Sequence, residues 1–479
     1  MSLHTPVYLL FLLVVVLIYW LLPAPRWRRS FLLAASYIFY GLFDIRFALL
    51  LAALTLAVYL LGRRIAQSQH ARAYAWLSVG LNLGVLGLFK YAGFFFSGAA
   101  AGFRLLGVSI VPPALYFLLP VGLSFYTFQA IAYTTDIYRE TATPTTSILD
   151  FALSMAFFPK LIAGPLVRPF ELQDQINSQI SRPSAQSIRS SLTLLLTGLT
   201  KKILIADSLA SLADVAFRAA NMPSASGLFP SPLYWAGFYL YAIQIYADFS
   251  GYTDIALASA SLLGFSLPEN FRQPYFSVTV ADFWSRWHMT LTRWFREYLF
   301  QPLSRSLLLA TKRRFRRGIQ VLANMTTMTL IGLWHGAAWT FVAWGFWHGL
   351  LISVERGLRL KPQSRWSRWI GGILTFHLVG LGWVLFRADS FLSAGRFLMG
   401  LFSFRQLVWA PRYLPPVLMA AALTLAIDLI SGNIIKIPSR SRQFWRPILM
   451  TASVLVLAGL ALLQVLRGVA PRPFIYGQF

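Results

Sequence analysis

Apolar runs close to the length of a membrane crossing recur along the whole chain, and no other property restricts its fold so tightly. They cover residues 6–22, 30–43, 47–61, 73–89, 115–135, 149–166, 192–209, 232–246, 255–267, 322–349, 370–386, 414–430 and 448–466. About 20 apolar residues in a helix span the hydrocarbon core of a bilayer. The chain is therefore expected to be an all-α polytopic membrane protein with about 10–13 membrane helices, some short or re-entrant. Composition agrees, since hydrophobic residues make up 57% of the sequence and charged residues only 12%, against roughly a quarter charged in soluble domains.

Charge placement suggests an orientation. The first run is too long and too weakly flanked to read as a cleaved signal peptide. Arg26, Arg28 and Arg29 follow it closely, which favours an outside N-terminus and a cytoplasmic first loop. The formal net charge of +26 would suggest nucleic acid in a soluble chain. Here the basic residues fall between apolar runs, at Arg63 and Arg64, Lys201 and Lys202, 312–317 and 356–368. That pattern suits positive-inside orientation and anionic membrane lipids, and no nucleic-acid partner is expected. The polar stretches 173–189 and 221–232 read as connectors, so residues 1–479 are expected to form one integral-membrane domain. The absence of a fixed-period or inverted repeat counts against a repeat-built transporter.

The chain contains no cysteine, which excludes a thiol nucleophile, a disulfide framework and thiolate-bound metal. His4, His70, His288, His335, His348 and His377 show no paired spacing on a helix, so no metal site is expected. On one continuous helix His335 and His348 would point about 220° apart. Asp248, Asp254, Glu269, Asp282 and Glu297 lie within fifty residues, beside Asn270, Arg272, Arg286, His288, Arg293 and Arg296. Ionisable groups at membrane depth are costly and line cavities or pair with one another. Either a polar centre or a set of helix-joining ion pairs is expected there.

Two tryptophan–histidine pairs stand out. Residues 282–299 read as one amphipathic helix with Asp282 as its N-cap, its tryptophans at the membrane interface. His288 falls on the shoulder between its two faces, where it could enter a cavity or simply meet the interface. His335 sits in the apolar run 331–339, about 27 Å along a helix beginning at Arg317 unless that helix breaks at Gly332 or Gly336. A neutral imidazole is the usual side chain for taking a proton near pH 7. A buried histidine bonded to a carbonyl remains the other reading. His348 and His377 read as structural.

Strings along the chain resemble a known family in sequence and order. They are Leu119 to Gln129 (LPVGLSFYTFQ), Phe157 to Pro165 (FFPKLIAGP), Ser250 to Ala256 (SGYTDIA), Leu267 to Phe271 (LPENF), Asp282 to His288 (DFWSRWH) and Leu333 to Ala337 (LWHGA). As a set they are similar to the bacterial, alginate O-acetyltransferase-like branch of the membrane-bound O-acyltransferases, over roughly residues 1–389. The resemblance implies a helix bundle around a central tunnel, with the core at about 115–389, N-terminal helices at 1–114 and C-terminal helices at 390–479. It places the family's catalytic histidine on His335 and its second functional polar position on His288. The departure lies at Pro302 to Arg305, where relatives carry a Gly-Gly turn and this chain continues into a longer basic loop, which bears on donor docking.

The implied activity is transfer of an acyl group, acetyl first among candidates, from a cytoplasmic thioester to hydroxyls of an exported or cell-surface polysaccharide. Such transfer needs a base for the hydroxyl proton and donors for the developing oxyanion. His335 would be the base and His288 the assisting group, with Asn270, Trp334 and Arg286 as substrate-binding candidates. The donor would be acetyl-CoA or another acyl thioester, such as an acyl-carrier protein, and no cofactor is expected to be tightly bound. An extracytoplasmic acyltransferase could receive the acyl group instead of the polysaccharide, and the bacterial inner membrane is the expected location. D-alanyl transfer to teichoic acid, acylation of a lipid or protein, a transporter and an export scaffold are the competing readings.

Overall fold

The computed structural model describes residues 2–109, 118–178, 181–222, 229–360 and 362–403, with the short stretches 414–415, 417–419 and 421–422. Helices make up the architecture, and no strand occurs among the described residues. Among the described residues, three helices are long and apolar enough to cross a membrane by length and composition: Ile45–Gln67, Ala71–Leu105 and Arg365–Arg387. The apolar run 448–466, most of 414–430 and the start of 115–135 lie outside the described residues.

The chain divides into two compact units, residues 1–191 with 256–268, and residues 192–255 with 269–479. In the first unit, helix starts are written into the sequence. Pro6, Pro25 and Pro169 open their helices, where a missing N–H costs nothing. Thr5, Asp44 and Ser147 accept hydrogen bonds from the first turns that follow them. The core gathers Leu51, Val58, Tyr133, Phe151 and Leu161. Gly122 has φ of +79°, and a Cβ there would lie 2.4 Å from the Leu161 carbonyl oxygen, so only glycine fits that turn. Lys160 is buried beside it and donates to the Gln129 side-chain carbonyl.

Several helices correct sequence expectations. Runs 232–246 and 255–267 read as separate segments in the sequence, whereas Ser231–Leu262 is one helix. Its polar middle is compensated: Lys202 Nζ lies 2.7 Å from Asp248 and 2.8 Å from Asp207, and Lys201 Nζ lies 2.9 Å from Asp254. Buried charges persist where they are paired in this way. Lys201 and Lys202 are therefore no loop residues; they sit buried in the π-helix Thr200–Asp207. Nor is 173–189 wholly a connector, because the helices Pro169–Asn177 and Ala185–Leu199 occupy most of it.

Run 322–349 is likewise two helices, Arg316–His335 and Trp339–Leu358. The break comes at Gly336, which takes an extended backbone and whose Cβ would stand 2.1 Å from the Phe341 ring. The two helices then pack backbone against backbone. A Cβ on Gly332 would meet the Phe341 carbonyl at 2.2 Å, and one on Gly345 the Met328 carbonyl at 2.3 Å. Small residues at a seam permit such close approach, as in helix pairs within membranes. Asn324 Nδ2 locks the pair by donating to the Gly349 carbonyl at 2.9 Å and to Ser353 Oγ at 3.0 Å.

Gly345→Val is expected to cost about 1–3 kcal/mol by overpacking and to lower the thermal midpoint in detergent. Gly357→Ala, on the same helix but with nothing within 4 Å of the added Cβ, should leave the midpoint unchanged or raise it. Equal behaviour of the two variants would contradict the seam.

Candidate active site

The site grows from three chain segments of the second unit, and the first of them departs from its expected form. Residues 282–299 do not make one amphipathic helix. Short helices Val280–Trp284 and Met289–Phe295 flank His288, which has φ of +43°. A left-handed backbone at a non-glycine residue is uncommon and holds only where its surroundings enforce it. Asp282 is not the N-cap either. Thr279 caps the first short helix by accepting from the Asp282 N–H at 3.0 Å. Glu355 reinforces that end, accepting from the N–H groups of Val280 and Ala281 at 2.5 and 3.0 Å.

The kink reverses the expected exposure of this segment. Trp287 and His288 are both wholly buried, with no exposed surface. Trp287 is packed among Phe283, Phe271 and Trp383 at centroid distances of 5.5, 5.0 and 4.9 Å. It is a core residue, and a helical wheel places it at an interface only because the wheel assumes a continuous helix.

Asn270 fixes the His288 imidazole. Its Oδ1 accepts from the Thr290 N–H at 3.2 Å, from Thr290 Oγ1 at 2.9 Å and from His288 Nδ1 at 3.1 Å. A backbone N–H can only donate, so the amide atom at this point must be the oxygen, and Nδ1 must carry the proton. Nε2 is thereby left as the basic nitrogen of His288. Phe249 stands edge-on to the ring at 4.7 Å, at an interplanar angle of 90°.

His335 is the last residue of its helix and is buried. Trp334, Trp344 and Phe386 surround its ring at centroid distances of 4.7, 5.0 and 5.4 Å. Trp334 also reaches His288, at 6.1 Å. One indole therefore touches both histidines, and Asn270, His288, Trp334 and His335 form one connected group.

Among the described residues no hydrogen bond or ion pair joins the Arg286 side chain to them. Its guanidinium Nε binds Asp282 at 2.8 Å in a partly exposed ion pair, and its carbonyl accepts from the Arg272 N–H. Of the clustered acids, Glu269 similarly pairs with Arg272 at the surface. Sequence reasoning missed Thr290, Phe249, Trp344 and Phe386. For Trp344 a signal existed: it precedes Gly345 in a Trp-Gly-Phe-Trp-His-Gly string that places it on the glycine seam.

The arrangement suits proton transfer in a place screened from water. Two imidazoles meet one buried indole, one of them with its tautomer set, and aromatic rings surround the other. Low local polarity strengthens any hydrogen bond made to a developing charge there.

Comparison with known proteins gives a consistent picture. Residues 139–367 match the family model of MBOAT, the membrane-bound O-acyltransferase family. The chain is 39% identical over 393 residues to a protein of Azotobacter vinelandii named "Probable alginate O-acetylase", covering 81% of this chain and 75% of that one. A protein of the same name from Pseudomonas aeruginosa is 38% identical over 406 residues, or 83% and 74% of the two chains. The "Peptidoglycan O-acetyltransferase" of Helicobacter pylori is 33% identical over 435 residues, or 83% and 79%.

The Asn270 geometry predicts the protonation state of His288 directly. Nitrogen-15 NMR of labelled histidine should report His288 with the proton on Nδ1, and Asn270→Ala should abolish that preference. A proton on Nε2 in the unsubstituted protein would contradict the assignment.

Proposed function

Because the chain belongs to the membrane-bound O-acyltransferase family, in its alginate O-acetyltransferase-like branch, we propose that this O-acyltransferase acylates hydroxyls of an exported or cell-surface polysaccharide. The acyl group is acetyl, and His335 is the base. The observation that carries the assignment is the pair of buried histidines touching one indole, Trp334. The names of the relatives support the acceptor class, since alginate is a polysaccharide and peptidoglycan contains glycan strands.

In the proposed reaction a sugar hydroxyl oxygen attacks the thioester carbonyl carbon while its proton passes to the neutral His335 imidazole. The carbon–sulfur bond breaks, and the departing thiolate takes the proton from the imidazolium. His288, held by Asn270 as the neutral imidazole with its proton on Nδ1, orients the acyl group. The Asn270 amide contributes its buried Nδ2, which has no hydrogen-bond partner among the described residues. With no cysteine in the chain, a thiol-bound acyl intermediate is not available, and direct transfer requires none. Trp334 is the ring in contact with both imidazoles.

The donor is a thioester reaching the site from the cytoplasm, acetyl-CoA or an acyl-carrier protein, in a bacterial inner-membrane setting. An extracytoplasmic acyltransferase acting as relay fits the same chemistry, because it too would present an oxygen nucleophile. The basic stretch that follows the helix Gln301–Ala310, a turn leading into the start of Arg316–His335 with Lys312 to Arg317 all exposed, suits an anionic donor or anionic headgroups.

A deletion strain complemented with His335→Ala should lose ester-linked acetyl on its exported polymer by about 100-fold or more, the lower range for general-base catalysis. His288→Ala should fall less steeply, by about tenfold or more. Alkaline release and chromatography identify and quantify the acyl group. Normal acetyl content with His335→Ala would overturn the base assignment, and D-alanine in place of acetyl would overturn the named acyl group.

A further inference from the structure

His348 has no part in the chemistry above, yet its contacts lead to His335. It is wholly buried on the helix Trp339–Leu358. Trp284 Nε1–H donates to His348 Nδ1 at 3.3 Å. Because an indole nitrogen only donates, Nδ1 must be the acceptor and Nε2 must carry the proton, the reverse of His288. That Nε2–H has no hydrogen-bond partner among the described residues. It lies against Gly382, where an added Cβ would come within 2.7 Å of it.

The ring is part of a closed aromatic triangle. His348 stands 5.0 Å from Trp344 and 5.3 Å from Trp284, and Trp284 stands 5.7 Å from Trp344. Trp344, in turn, presents itself to His335 at 5.0 Å and 87°, an edge-to-face contact. A bulky apolar side chain could fill the same volume without burying an unmet N–H, and buried polar groups carry a cost where they are not fully bonded. What an apolar side chain could not supply is an acceptor for the Trp284 indole.

We propose that His348 is a positioning residue for acyl transfer: by accepting the Trp284 N–H it holds Trp344 in register as the wall of His335. This rests on His335 being the base. The bond sets the rotation of two indoles at once, and so the orientation of the imidazole that receives the proton. Displacement of a reacting group by about 1 Å can lower turnover by about 100-fold.

The test measures ester-linked acyl groups on the exported polymer of the complemented deletion strain, divided by the amount of membrane-extracted protein that elutes as a single species in detergent. His348→Leu and Trp284→Phe should each lower the normalised value by about tenfold. His348→Asn places an amide oxygen where Nδ1 was and should stay within about threefold, whereas His348→Gln, reaching toward the Nε2 position, should not recover. If His348→Leu is missing from the membrane, Trp284→Phe, which keeps an aromatic ring, decides the matter. Full activity in Trp284→Phe, or equal recovery by Asn and Gln, would overturn the positioning role. Activity surviving His335→Ala would instead overturn the base assignment on which it rests.

Discussion

Contact between the backbones of two helices determines where the chemistry of this chain can occur. Gly332 and Gly345 let Arg316–His335 and Trp339–Leu358 approach until carbonyl oxygens occupy the places of missing side chains. Asn324 then bonds across the seam to Gly349 and Ser353. The chain can turn back at Gly336 only because no Cβ stands where Phe341 lies. As a result His335 ends a helix inside the protein, with Trp344 from the returning helix against its ring. In a membrane the gain from sequestering apolar side chains between helices is small, so close packing and buried hydrogen bonds carry the association. Loosening that seam would move the proposed base as well as weaken the fold.

The second histidine depends on a different constraint, a turn closed by one amide. Asn270 collects the Thr290 N–H, the Thr290 hydroxyl and the His288 ring N–H on a single oxygen. This supports a left-handed backbone at His288 and assigns its ring proton in the same stroke. The two histidines are thus held by unrelated devices, a helix end and a capped kink. Trp334 is the side chain common to both.

Much of the architecture could be read from periodicity and composition. Apolar runs pointed to helices without fixing their bounds, and Thr5, Asp44 and Ser147 are cap residues standing where helices begin. Charge pairing was less legible. Asp248 and Asp254 look like an interruption in an apolar segment, yet Lys201 and Lys202, some fifty residues earlier, neutralise them and the helix runs on. Only tertiary proximity shows this. The kink at His288 was also hidden, because nothing in the string of aromatic and basic residues forbids a continuous helix. Its cause is Asn270, eighteen residues away. His288, Asn270, Trp334 and His335 lie in the motifs and are joined by contact in the structure, while Arg286 is drawn into a partly exposed pair with Asp282 that helical spacing alone already allowed.

In the proposed reaction acyl transfer proceeds against aromatic walls, with His335 taking the proton and Asn270 holding His288 against the same indole. The most direct test is a structure determined with a non-reactive thioether analogue of the acyl donor and an acceptor sugar bound together. The account predicts the analogue's acyl carbon in the space bordered by Trp334, and the attacking hydroxyl between that carbon and His335 at near-attack separations of about 3–4 Å. An acyl carbon held on the far side of Trp344, or roughly 10 Å or more from both imidazoles, is beyond the reach of proton transfer even through one water and would contradict it.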